Sequence, residues 1–119
     1  MVLFAPYAIA GSVSIDNNNV TKSYDCEGGT ANINGNRNTL TLNNCSNVSV
    51  AGNYNQITLT GNSPDLSVPG NNNQVAAGNV KKISTLGNNN TVSWTSPNDD
   101  DKPKISNLGN HNSISRVKP

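Results

Sequence analysis

Four kinds of residue in this chain carry chemistry: one histidine, two cysteines, a run of aspartates and an unusual wealth of asparagine. The histidine, His111, lies inside Gly109-Asn110-His111-Asn112, with no serine–histidine–carboxylate order around it, so nucleophilic catalysis finds no candidate. Asp16, Asp25, Glu27 and Asp65 recur at no shared spacing, so no pair of acids for glycoside chemistry is implied. Asp99, Asp100 and Asp101 lack the glycine and glutamate offsets of a calcium loop and read as solvated. Cys26, Cys45 and His111 are too scattered to ligate one metal ion. No catalytic residue, metal ligand or cofactor is therefore assigned, and the chain is read as non-enzymatic.

The asparagines are a different matter. They fill roughly a fifth of all positions. Five times they frame one pattern, Gly-Asn-x-Asn: Gly35-Asn36-Arg37-Asn38, Gly52-Asn53-Tyr54-Asn55, Gly70-Asn71-Asn72-Asn73, Gly87-Asn88-Asn89-Asn90 and Gly109-Asn110-His111-Asn112. The glycines are evenly spaced but for the last step, which holds an insertion, and a degenerate copy, Asp16-Asn17-Asn18-Asn19, precedes them. A repeat of about 18 residues points to a solenoid, in which each unit buries its apolar face only against its neighbours.

Apolar residues alternate on both sides of each glycine. Ala31 and Ile33, Val48 and Val50, and Leu66 and Val68 precede it; Leu40 and Leu42, Ile57 and Leu59, Val75 and Ala77, and Val92 and Trp94 follow. Period two is the strand signature, and no stretch shows a helical period. Ile83 with Leu86, and Ile105 with Leu108, are three apart and predict a bulge before the turn. The fold class expected is all-β: a right-handed or three-sided parallel β-solenoid of about six coils. Residues 1–12 read as an apolar N-terminal arm, either a cap, a donated segment or a signal remnant, and 13–119 as the solenoid.

Each coil must turn corners. Glycine reaches positive φ freely and asparagine tolerates the left-handed region. Stacking at about 4.8 Å places equivalent side chains over one another. Two ladders of carboxamides are expected, Asn36-Asn53-Asn71-Asn88-Asn110 and Asn38-Asn55-Asn73-Asn90-Asn112, each amide donating to one neighbour and accepting from the other. The third motif residue is free to vary because it points to solvent. By the same stacking Cys26 and Cys45, separated by close to one repeat, fall on adjacent coils within disulfide reach, which fits an oxidising compartment.

Residues 25–61, "DCEGGTANINGNRNTLTLNNCSNVSVAGNYNQITLTG", resemble the bacterial DUF3060 family of small secreted proteins and lipoproteins, in which a Cys-x-Gly-Gly opening, a glycine- and asparagine-bearing turn and a second cysteine recur among Thr/Val/Leu strands. The resemblance implies an exported β-solenoid, secreted or on the cell surface, with Cys26 and Cys45 at the family's cysteine positions. It supplies no activity.

Function is read from the surfaces. With a net charge of +1 and 13% charged residues, a nucleic-acid partner is not expected. A solenoid's open ends favour self-association, head-to-tail, into an extracellular filament or surface layer, with Val2, Leu3 and Phe4 as an assembly arm. One alternative is an ice-binding flat face made by Thr39, Thr41, Gln56, Thr58, Gln74, Thr91, Ser93, Ser113 and Ser115. Another is a glycan-binding surface using Tyr54 or Trp94 as a stacking platform.

Overall fold

The computed structural model describes residues 8–9, 12–95 and 102–117. Thirteen strands follow one another: β1 (Ala8–Ile9), β2 (Ser12–Ile15), β3 (Thr21–Asp25), β4 (Thr30–Ile33), β5 (Thr39–Asn43), β6 (Asn47–Val50), β7 (Gln56–Thr60), β8 (Asp65–Val68), β9 (Gln74–Ala77), β10 (Lys82–Thr85), β11 (Thr91–Thr95), β12 (Lys104–Asn107) and β13 (Ser113–Val117). Odd-numbered strands form one parallel sheet, from β1 to β13 in order, and even-numbered strands form a second, from β2 to β12. A coil is thus one even strand, a corner, one odd strand and a second corner. The molecule is a β-solenoid of about six turns with two faces, not three.

Alternation along the strands decides which side chains meet. Their inward residues stack as columns between the sheets. In the second sheet these are Val13, Ala31, Val48, Leu66, Ile83 and Ile105, and beside them Ile15, Ile33, Val50, Val68, Thr85 and Asn107. In the first they are Lys22, Leu40, Ile57, Val75, Val92 and Ile114, and Tyr24, Leu42, Leu59, Ala77, Trp94 and Arg116. The aliphatic members between the two ends are buried. Trp94 fits because its neighbour in the column is the small Ala77.

The predicted bulge is absent. β10 pairs with β8 without interruption, Ile83 on Leu66 and Thr85 on Val68. Thr85 therefore takes the buried position, and its hydroxyl donates to Asn107 Oδ1 at 3.1 Å. Leu86 and Leu108, one residue further on, project into solvent. The apolar spacing misled because both leucines follow the strand rather than belong to it.

At the second corner, Cys26 and Cys45 are joined by a disulfide across adjacent coils, with a Cα–Cα separation of 4.9 Å. Both are fully buried.

Candidate functional site

The Gly-Asn-x-Asn corner divides its labour differently from the expectation. None of the five motif glycines has positive φ; that conformation belongs to the variable third residue, Arg37, Tyr54, Asn72, Asn89 and His111, at φ 57–60°. The glycines are required for space. A Cβ on Gly52 would collide with the carbonyl oxygen of Gly35, and Gly70, Gly87 and Gly109 stand in the same relation to the glycine one coil earlier. For Gly35 the obstructing carbonyl is that of Asn17. Every third residue but the half-buried Asn72 is exposed.

Asn38, Asn55, Asn73, Asn90 and Asn112 form an inner column, the first four with no exposed surface. Each Oδ1 accepts from a backbone N–H one coil earlier, at 2.8–3.0 Å, as Asn73 does from Asn55. Each Nδ2 donates to a corner carbonyl of that same earlier coil, at 2.9–3.0 Å, as Asn73 does to Gly52. The inner carboxamides thus bond backbone, not one another.

Asn36, Asn53, Asn71, Asn88 and Asn110 form an outer column of opposite sense. Here the Oδ1 atoms of Asn18, Asn36, Asn53, Asn71 and Asn88 each accept from the backbone N–H of the asparagine one coil later, at 2.8–3.1 Å. Amide-to-amide bonds accompany these at Asn36–Asn18, Asn53–Asn36 and Asn71–Asn53, at 3.2–3.3 Å.

The same geometry re-registers the degenerate first copy. Asn36 bonds Asn18, Gly35 packs on Asn17, and Asn38 Oδ1 accepts from the N–H of Val20. The first corner is therefore Asn17-Asn18-Asn19-Val20, with asparagine in the glycine position and valine in the inner asparagine position.

The outer face of the first sheet places Thr39, Gln56, Gln74, Thr91 and Ser113 in one file and Thr41, Thr58, Ala76, Ser93 and Ser115 in the next. Ala76 and the two glutamines interrupt the regularity, and a shallow groove of about 280 Å³ runs over Gln56, Gln74 and Ala76. Trp94 is buried and offers no stacking surface. Tyr54 is exposed, with the Arg37 guanidinium 5.5 Å from its ring centre. Among the described residues no three His, Cys, Asp or Glu side chains gather as a metal site.

The two ends differ. At the first coil, β1 pairs with β3 at Tyr24 and Asp25, covering part of that edge. Lys22 stands in register with the inward Leu40 but is exposed, its ammonium 5.8 Å from the Tyr24 ring. Val2, Leu3 and Phe4 lie outside the described residues, as do Asp99, Asp100 and Asp101. At the last coil, β12 and β13 have no further partner strand among the described residues. Ile105, Leu108 and Val117 are 46%, 72% and 48% exposed, whereas Ile83, which precedes Ile105 in its column, is fully buried.

A family model for a protein of unknown function, DUF3060, matches residues 50–111, more than half of the chain. This chain belongs to the DUF3060 family. The match spans the second to the last Gly-Asn-x-Asn corner, except Asn112, and excludes both cysteines, so what this chain shares with DUF3060 is the repeated corner and its strands. No match was found among curated proteins or among solved structures.

Proposed function

We propose that this chain is a non-enzymatic, exported structural protein, a stiff strut that makes its contacts end-on through its last coil. The observation that carries the reading is the asymmetry of the ends. Among the described residues the last coil presents two unpaired strand edges and three exposed apolar side chains, Ile105, Leu108 and Val117, where every earlier coil is covered by a successor. An open strand edge beside apolar surface is a template for pairing with another chain. The buried disulfide supports export to an oxidising compartment, where such a bond persists.

The test is site-specific photocrosslinking in cells that make the protein. A photoreactive side chain replaces Leu108 at the end of the rod, or Thr58 on its outer face. End-on function predicts a discrete adduct from position 108 and none from position 58. Adducts from position 58 alone would replace this reading with a face-binding one.

A further inference from the structure

The five junctions between coils define what a coil must carry to stack on the one before it. It needs no Cβ at the first corner position, because the earlier coil's carbonyl fills that space. At the second position its backbone N–H donates to the earlier coil's outer carboxamide, and an asparagine there adds an Nδ2 donor to the same oxygen, as Asn53 and Asn71 do. It needs an asparagine at the fourth position, which binds the earlier coil's N–H through Oδ1 and its corner carbonyl through Nδ2. The last coil offers the complementary set: the Gly109 carbonyl, the Asn110 carboxamide and the Asn112 N–H at the corner, with Ile105 and Ile114 as the next members of apolar columns.

Resting on the end-on reading above, we infer that the last coil is a docking surface for a solenoid coil of another polypeptide bearing the Gly-Asn-x-Asn corner, and that this chain's own first coil is built to be refused there. Asn17 puts a side chain where the Gly109 carbonyl would have to lie. Val20 can neither accept from the Asn112 N–H nor donate to that carbonyl. The β3 edge that β13 would meet is already taken at Tyr24 and Asp25 by β1. A second copy stacked head-to-tail thus meets a steric block, two lost hydrogen bonds and an occupied strand edge. Lys22, exposed at the head of an otherwise apolar column, adds a charge at that junction, as charged residues on natural sheet edges do against edge pairing. Only Asn18, in the outer column, is suited to such a junction. The head-to-tail filament expected from the sequence is therefore disfavoured, and the partner is a coil with glycine where this chain has Asn17 and asparagine where it has Val20.

The decisive experiment turns the first coil into that partner. The full chain carrying Ile9→Pro, Asn17→Gly and Val20→Asn is compared with the unsubstituted protein by analytical ultracentrifugation and negative-stain microscopy. The substituted chain is expected to form head-to-tail rods, with a weight-average mass several-fold above that of the unsubstituted chain. Adding Leu108→Lys to it should reverse the gain. Unsubstituted protein mixed in should shorten the rods, since it can join at one end only. Should the triple variant lose its circular dichroism signal, Ile9→Gly in place of Ile9→Pro, with the same two corner substitutions, carries the comparison. A folded, oxidised variant that sediments like the unsubstituted chain overturns the inference, as do head-to-tail rods of unsubstituted protein. Failure of the end-on reading is separable, because it shows as absent crosslinks at position 108 in cells whatever the purified variants do.

Discussion

Replacing Asn73 by alanine isolates the contribution of one inner carboxamide. Asn73 has no exposed surface; its Oδ1 accepts from the Asn55 N–H at 2.9 Å and its Nδ2 donates to the Gly52 carbonyl at 2.9 Å. Alanine leaves both backbone groups inside the corner without a partner and without room for bulk water. An unsatisfied buried polar group costs about 1–3 kcal/mol, so the pair predicts a loss of about 2–6 kcal/mol. That is a large share of the stability of about 5–15 kcal/mol typical of a domain. The half-buried Asn71, one column outward, is the control. Its Oδ1 accepts from the Asn88 N–H near the surface, where water can substitute, so Asn71→Ala should lose only about 0.5–1.5 kcal/mol. Equilibrium urea unfolding followed by circular dichroism, with unchanged denaturant slope, gives both values. If Asn73→Ala lost no more than Asn71→Ala, the claim that the inner carboxamides hold the corner together would be wrong.

Reducing the Cys26–Cys45 bond, which staples one coil to the next, should lower stability by about 3 kcal/mol, seen as a shift in the unfolding midpoint with and without reductant. Gly70→Ala should abolish or severely weaken folding, because the new methyl meets the Gly52 carbonyl; Gly28→Ala, with open space around it but φ +87°, should lose only about 1–2 kcal/mol, both read by thermal melts. Arg37→Val, which forces a β-branched residue to φ 57°, should be destabilised by about 1–2 kcal/mol, whereas Arg37→Asn should be neutral or stabilising; a reversed order in denaturant titration would contradict the assigned corner conformation.

The coil, its strands and the cysteine pairing were legible because a regular repeat aligns like with like, and alternation then sorts side chains inward or outward. Where legibility failed, the missing quantity was the distance between coils. Glycine at a corner suggests a left-handed backbone, and only the packed structure reveals that the obstruction comes from another coil's carbonyl. Leu86 resembles a core residue by type, yet Thr85 is the one in register, buried over Val68 with its hydroxyl bonded to Asn107. The first corner was misaligned by one residue because three consecutive asparagines, Asn17, Asn18 and Asn19, fit the motif in more than one frame. Its departures from the motif, invisible in the wrong frame, are what distinguish the two ends. The outer face could be read as a set of residues, but not how even it is: the gap left by Ala76 is a matter of shape.

The inner asparagines also impose an order in time. Each coil's corner is completed by a carboxamide that lies further along the chain, so a nascent polypeptide leaving a ribosome or a translocation pore exposes raw amides until the corresponding corner of its next coil emerges. Shortening the protein from its C-terminal side therefore bares backbone N–H groups at the corner left behind, while trimming from the other side bares side-chain Nδ2 groups and the outer N–H of the new first corner. A stalled or clipped product would thus expose a different set of raw polar groups according to which extremity was lost.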